Sequence, residues 1–139
     1  MKKLRDRILT VVLTVTILIT IASVGTVMWA YESKVSDQKD VRLEIIPVKL
    51  VPGSQAQFKI SMNTHSIELN YDMVKLSTLK DDRGREYQAL KWKGAPPAGH
   101  HRSGVLEFTS IARDAKSITL RIINIAGVPE RIFEWKVEQ

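Results

Sequence analysis

Cysteine is absent from all 139 residues of this chain. Its absence excludes a disulfide framework, a thiolate metal site, a cysteine nucleophile and a lipidated N-terminal cysteine. The GxGxxG, GxxxxGK[ST], GxSxG and HExxH motifs of nucleotide binding, nucleophilic catalysis and zinc hydrolysis are missing as well. The sequence therefore predicts a protein that is not an enzyme, acts on no small-molecule substrate and relies on its core alone for stability.

Concentrated charge of one sign is also scarce after the first few residues. The net charge is +6, and residues 32–139 contain 17 basic and 14 acidic residues with interleaved signs. A nucleic-acid footprint needs clustered basic residues with stacking aromatics. The outer part of the chain therefore reads as an ordinary solvated surface, and no nucleic-acid partner is expected.

One long apolar run is present near the N-terminus. Residues 8–31, ILTVVLTVTILITIASVGTVMWAY, contain no charged residue over 24 positions. As a helix this run would be roughly 36 Å long, enough to cross a hydrocarbon core of about 30 Å. Trp29 and Tyr31 fall where an interfacial aromatic belt is expected. The run predicts a single transmembrane helix that acts as a signal anchor.

The flanks of this run predict its orientation. The basic flank 1–7 holds four basic residues and one acid, which places it in the cytoplasm and residues 32–139 outside, in the periplasm or the extracellular space. A cleaved signal peptide is the alternative, with Thr20 and Ala22 as small residues near a cleavage site. Because the apolar run continues well past Ala22, the uncleaved anchor is the favoured interpretation.

The part of the chain after the span has a β pattern. Residues 32–40, ESKVSDQKD, are polar and predict a short tether, and residues 41–139 predict an extracytoplasmic domain. Short alternating runs separated by turn signals predict an all-β, Ig-like antiparallel β-sandwich of about seven strands. The predicted strands are 41–50, 56–62, 86–92, 105–108, 117–125 and 131–137, with a helical turn in 71–76, a turn at 81–84 and a hairpin loop at 126–130.

Strand phases predict the core and one irregularity. The alternation slips by one residue beside Pro47, which predicts a bulge in an edge strand, since proline cannot donate to the ladder. Trp92 is expected to be a core aromatic. The other predicted core residues are Phe58, Ile60, Leu120, Ile122, Phe133 and Trp135.

The three histidines are the candidate site. His65 follows a strand, and His100 and His101 lie in KGAPPAGHHRSG, a connection longer than most hairpin loops. Three neutral imidazoles bind copper or zinc with an open position, and Met62 would add a soft ligand. Against this, adjacent side chains in extended backbone point to opposite faces. The alternatives are one packed and one solvated histidine, a pH sensor, or recognition of a partner or anion by His100, His101 and Arg102.

Four segments of the chain resemble a family of small exported or membrane-anchored β-rich domains of uncharacterised function. They are NTHSIEL, LKDDRGREYQALKW, GAPPAGHHRSGVLEF and IAGVPERIFEW, within residues 41–135. The resemblance implies a shared domain type and no particular activity. The sequence as a whole predicts a non-enzymatic, membrane-anchored extracytoplasmic interaction domain, an accessory subunit of a membrane complex. The alternative is a protein that binds or delivers copper or zinc through His65, His100 and His101.

Overall fold

The structure is a computed structural model that describes residues 1–4 and 31–137. The chain divides into two units, Met1–Ala30 and Tyr31–Gln139. In the first unit residues 2–4 are helical. No helix within the described ranges is long and apolar enough to cross a membrane. The predicted span, all but its last residue Tyr31, and the alternative cleavage site lie outside the described residues.

The second unit consists of eight strands and one short helix. The strands are β1 (Lys34–Gln38), β2 (Val41–Lys49), β3 (Gln55–Thr64), β4 (Ser77–Asp81), β5 (Glu86–Gly94), β6 (His101–Ser110), β7 (Ser117–Ile125) and β8 (Val128–Lys136), and the helix is α1 (Met73–Leu76) between β3 and β4.

All eight strands belong to one antiparallel sheet. Their order is β1-β2-β3-β6-β5-β4-β7-β8, so two overlapping Greek keys share β4, β5 and β6. The outermost strands, β1 and β8, approach each other, and the Arg131 side chain of β8 donates hydrogen bonds to backbone carbonyls of β1. The sheet is therefore nearly closed into a barrel.

The all-β antiparallel class is confirmed, but the strands form one eight-stranded sheet where an Ig-like sandwich of about seven strands was predicted. Two strands were not predicted: β4, and β1, which occupies the predicted tether 32–40. In β1 the inward-facing Ser36 lies against the Arg131 guanidinium instead of an apolar core, so the segment has no hydrophobic alternation. Alternation reports which face of a strand is buried and not which strand is its neighbour. Pairing of β4 with both β5 and β7 makes one sheet out of what would otherwise be two.

The predicted irregularity at Pro47 is confirmed as a register shift between Pro47 and Lys49. β2 is not an edge strand as predicted, but β1 pairs with it only as far as Ile45. Pro47 therefore lies where the outer side of β2 has no partner strand, and its missing N–H removes no ladder hydrogen bond.

Two hairpins close through two-residue turns with positive φ. Lys39 and Asp40 (φ 50° and 61°) join β1 to β2, and Ala126 and Gly127 (φ 52° and 70°) join β7 to β8. Such turns match the right-handed twist of the flanking strands. The predicted five-residue loop 126–130 is thus only two residues long, and the rest of it belongs to β8.

The inward faces of the strands form one hydrophobic core. Six of the seven predicted core residues are confirmed as buried, and Trp92 is only partly buried. The six are Phe58, Ile60, Leu120, Ile122, Phe133 and Trp135. The Phe58 ring packs edge-on against Phe108 at 5.8 Å and lies 5.3 Å from the Trp135 ring, measured between centroids. Because these rings come from β3, β6 and β8, the cluster joins opposite parts of the sheet. Helix α1 contributes buried Met73.

The Arg131 side chain of β8 bridges the gap between β8 and β1. Arg131 is 2 % exposed, and its guanidinium donates to the carbonyl oxygens of Ser36 (3.1 Å), Gln38 (2.8 Å) and Val41 (2.9 Å). Burial lowers the pKa of Arg131, and the charge of Asp37 partly offsets this. Side-chain hydrogen bonds thus replace the backbone ladder at the closure.

At the opposite end of the strands, Asp81 organises the β4–β5 turn. Its carboxylate accepts hydrogen bonds from the Arg83 and Arg85 backbone N–H groups, from Arg85 Nε (2.6 Å) and from the Tyr87 hydroxyl (2.6 Å). Burial by itself raises the pKa of Asp81, but these hydrogen bonds outweigh it and leave the pKa at about 2. The predicted turn at 81–84 is confirmed.

Candidate functional site

Two chain connections meet at one end of the barrel. They carry His65 and His100, and His101 follows as the first residue of β6. The Thr64 N–H donates to the His100 carbonyl (3.0 Å), and the Leu69 N–H donates to the Gly99 carbonyl (2.8 Å). These hydrogen bonds join the segment after β3 to the segment before β6. We refer to this part of the domain, residues 63–72 and 95–101, as the histidine end.

Arg102 lies on the inward face of β6 and holds the two segments of the histidine end in place. Its side chain is only 4 % exposed, and it donates from Nη1 to the Tyr71 carbonyl (2.5 Å) and from Nε to the Ala95 carbonyl (3.1 Å). Burial lowers the pKa of the guanidinium, and the charge of Asp72 partly offsets this. A buried cation is tolerated when carbonyl oxygens satisfy its donors. Arg102 therefore links both connections and holds them at a set distance.

Trp92 lies beside this cation and is partly buried, at the margin of the predicted core. The Arg102 Cζ atom is 4.9 Å from the Trp92 ring centroid, and Trp92 Nε1 donates to the Ala95 carbonyl (2.8 Å). The ring covers Gly104, where a Cβ atom would lie 2.5 Å from Trp92 Cζ2. Glycine is thus required at 104 for the ring to lie flat against β6.

The structure places Arg102 differently from the sequence prediction. Arg102 was expected to be displayed with His100 and His101 at the tip of a loop, but it is buried within β6. The reason is strand geometry, since His101 already belongs to β6 and successive side chains of a strand point to opposite faces. His101 faces outward and Arg102 faces inward.

All three histidines are exposed to solvent. His101 Nδ1 lies 2.8 Å from Asn63 Oδ1 on the neighbouring strand, where the two residues are register partners. His65 follows β3 in a turn that Thr64 caps, because the Thr64 hydroxyl accepts hydrogen bonds from the Ser66 and Ile67 N–H groups (both 3.3 Å). None of the three imidazoles is part of the core.

The predicted metal ligands are not brought together. Within residues 1–4 and 31–137, no three histidine or acidic side chains form a group that could hold a metal ion. Met62 is fully buried in the core, whereas His65 is exposed, so the thioether does not join the imidazole. Copper or zinc binding by His65, His100 and His101 stays a prediction of the sequence.

A row of polar side chains crosses four adjacent strands on the outer face. Asp37, Arg42, Asn63 and His101 are successive register partners on β1, β2, β3 and β6. Arg42 Nη1 lies 3.8 Å from Asp37 Oδ2, and His101 is hydrogen bonded to Asn63. We call these four residues the polar row. It presents a carboxylate, a guanidinium, an amide and an imidazole side by side.

A surface cleft of about 530 Å³ opens beside the polar row. Its lining comes from the β1–β2 hairpin, the end of β3 and the turn that follows: Asp37, Asp40, Arg42, Asn63, Thr64, His65 and Ser66. Hydrogen-bond donors and acceptors line it, and they include both positively and negatively charged side chains. The cleft is therefore suited to a polar group or a polar segment of a partner.

Sequence analysis missed the residues of the polar row other than His101. Asp37 lies in the segment that was interpreted as a tether, and Asn63 falls just outside the predicted strand 56–62. One signal was available, because Asp37 and Arg42 have opposite charges and are placed symmetrically about Lys39-Asp40. That spacing is typical of a cross-strand ion pair flanking a two-residue turn.

No family profile, no curated protein and no solved structure matches this chain.

Proposed function

We propose that this protein is a non-enzymatic interaction domain, anchored in the membrane by residues 8–31, with the histidine end as its recognition surface. The partner is another protein of the same membrane, and the chain serves as an accessory subunit. The main support for the proposal is the contrast in burial between the side chains of residues 100–102. Two exposed histidines are mounted directly on backbone that a buried arginine holds in place.

Such a surface suits recognition for an energetic reason. Binding through a mobile loop costs conformational entropy when the loop is ordered, and a loop that is already fixed avoids this cost. Here hydrogen bonds to Arg102 and between the two connections supply the order before any partner arrives. The exposed imidazoles of His65 and His100, and Nε2 of His101, are left for an outside partner.

The chemistry of the polar row indicates the kind of partner. The polar row offers an acceptor (Asp37), a donor (Arg42) and two groups that can do both, an amide and an imidazole. The adjoining cleft is lined mostly by polar side chains. A surface of this kind resembles the polar rim of an interface, where charge complementarity sets specificity more than affinity. We infer a partner with a polar, mixed-charge surface.

Site-specific photocrosslinking tests the recognition surface. A photoreactive residue placed at His65 or His101 in the full chain should give a discrete adduct in the native membrane. The matched control is Gln88, an exposed residue on the outer face of β5, at which no adduct is expected. Adducts formed only from position 88 would contradict the proposal.

Protease protection tests the anchor and its orientation. The full chain should stay in the membrane fraction, and protease added from outside should digest residues 32–139 while the basic flank is protected. A soluble mature form that begins near Ser23 would overturn the anchor.

The copper or zinc alternative is separable from the interaction proposal. Metal analysis of the purified chain would show stoichiometric copper or zinc, lost in the His100→Ala/His101→Ala variant, if the alternative holds. The geometry favours it less, because no three histidine or acidic side chains of residues 1–4 and 31–137 form a group that could hold a metal ion.

A further inference from the structure

The end of the barrel opposite the histidine end carries a second exposed surface, located at the point where the chain enters the domain. The Tyr31 hydroxyl donates to the Leu50 carbonyl (2.8 Å), which places the first residue of the second unit beside the β2–β3 turn. That turn is joined to the β6–β7 connection by hydrogen bonds between Gly53 N–H and the Ile111 carbonyl (2.9 Å) and between Ile111 N–H and the Ser54 carbonyl (3.0 Å).

The last strand ends at the same place. The Val137 N–H donates to the Lys116 carbonyl (2.9 Å), and Arg113 lies across the β2–β3 turn, with its Cγ 3.0 Å from where a Cβ of Gly53 would be. Exposed cationic and aliphatic side chains from these segments form one surface. We call it the basal face, and it consists of Val48, Lys49, Val51, Arg113, Lys116 and Lys136.

The basal face combines apolar exposure with unneutralised positive charge. Val48 and Val51 are 57 % and 53 % exposed. The four cations have no ion-pair partner among residues 31–137. Of the neighbouring carboxylates, Asp114 pairs with Arg83 and Arg85, and Asp82 forms no ion pair with another described residue and accepts from the Lys116 and Ser117 backbone N–H groups.

The charges of the basal face can be compared with two nearby acids and with the ion pairing at the opposite end of the domain. Glu32 pairs with Lys34, and Glu134 on β8 is an exposed acid two residues before Lys136. At the histidine end, by contrast, the cation Arg42 is paired with Asp37. Lys39, Lys59, Lys80 and Lys91 are further cations without an ion pair among residues 31–137, so the basal face differs by having four such cations beside exposed valines.

We propose that the basal face rests on the bilayer and binds anionic lipid headgroups, an inference that depends on the proposed membrane anchor. The 24 uncharged residues before the domain end at Tyr31, so a span there brings this end of the domain to the membrane surface. Basic side chains beside a span are attracted to anionic headgroups, and exposed aliphatic side chains gain by entering the interface. The contact directs the histidine end away from the membrane, toward a partner.

Fluorescence of a single label on the full chain tests the contact. Because the chain has no cysteine, Val51→Cys provides one labelling site on the basal face and Glu68→Cys provides one at the histidine end. Each labelled chain is reconstituted into vesicles of phosphatidylcholine alone and of phosphatidylcholine with phosphatidylglycerol. The label at 51 should shift to shorter wavelength and be quenched by brominated lipid, more strongly in anionic vesicles at low salt, while the label at 68 stays unaffected.

A charge variant provides the matched control. Arg113→Gln/Lys116→Gln/Lys136→Gln should abolish the difference between the two lipid compositions. Lys39→Gln/Lys59→Gln/Lys91→Gln, which removes the same charge from elsewhere on the domain, should retain it. Equal emission of the label at 51 in both lipids, or loss of the difference in the second variant only, overturns the headgroup contact. A chain that alkaline carbonate extracts from the vesicles overturns the anchor itself, and the contact with it.

Discussion

His101 and Arg102 show how two adjacent residues acquire opposite roles. Both lie at the start of β6, and the alternation of a strand sends the imidazole to solvent and the guanidinium into the domain. Arg102 stabilises the two connections through carbonyl oxygens, and His101 makes only an exposed hydrogen bond to Asn63. Stability and the proposed recognition are thus separated within a single dipeptide.

The separation predicts that the histidines are dispensable for folding. His100→Ala/His101→Ala should change the free energy of unfolding by no more than about 0.5 kcal/mol, because exposed substitutions rarely cost more. Thermal unfolding of the full chain measures this, with Arg102→Leu as the destabilising comparison. A large loss of stability in the histidine variant would show that the imidazoles are structural.

Asp81 makes the stability of the domain dependent on acid pH. Its pKa is about 2 in the folded chain and 3.8 for a free side chain, so the unfolded state binds the proton more readily. The contribution of Asp81 is therefore fully present above pH 4 and is lost as the pH falls toward 2. Tyr87, whose pKa is raised by burial and by Asp81, stays neutral over this range.

Asp81→Asn tests this contribution. The amide cannot accept all the hydrogen bonds from Arg85 and Tyr87, so we expect a loss of about 1–3 kcal/mol in the free energy of unfolding at neutral pH. Urea denaturation at several pH values should show the difference from wild type shrinking between pH 4 and pH 2. A difference that is independent of pH would contradict the role assigned to the carboxylate.

At the scale of elements, the weakest closure is the one between β1 and β8. No backbone ladder joins these two strands, and the contact depends on Arg131 and on the hydrogen bond from Trp135 Nε1 to the Glu32 carbonyl (2.7 Å). The β1–β2 hairpin carries Asp37, Asp40 and Arg42 of the candidate site. Its attachment therefore controls the shape of the cleft.

Arg131→Met should release β1 from β8. Removing the guanidinium takes one donor from each of the carbonyls of Ser36, Gln38 and Val41, and a buried group left unsatisfied costs about 1–3 kcal/mol. Hydrogen exchange should accelerate in residues 34–45 before it does in β4 or β7. Arg131→Lys serves as the control that retains charge and partial hydrogen bonding, and equal exchange in wild type and the methionine variant would contradict this account of the closure.

At the scale of the whole molecule, the ring cluster around Phe58 holds the sheet together as one unit. Phe58→Ala removes contacts with Phe108 and Trp135 and should cost about 3–5 kcal/mol. A domain without disulfides has little stability to spare, so most of the chain should unfold at moderate temperature. Circular dichroism melting measures this, and Leu90→Ala on the exposed face should melt like wild type.

The two ends of the domain have different surfaces for different proposed partners. The histidine end presents paired charges and imidazoles, and the basal face presents free cations beside exposed valines. Nine-residue and ten-residue strands separate them. Contact with a membrane at one end and with a protein at the other follows from the proposals above and requires no movement within the domain.

The sequence by itself determined which side chains are buried and where several turns lie. Phe58, Ile60, Leu120 and Trp135 were predicted correctly because alternation along a strand is a local property that follows from the direction of successive side chains. The Pro47 bulge and the turn at 81–84 were also predicted, because proline, glycine and aspartate constrain their own backbone.

Only the tertiary structure decided how the strands pair and what the site contains. Ser36 and Arg131 are 95 positions apart in sequence, and their contact explains why a polar segment forms β1. The polar row was missed for the same reason. Asp37 and His101 are far apart in sequence and come to lie in one row only because β2 and β3 pair between them. Strand register is set by packing against distant partners, and local periodicity carries no record of which partners those are.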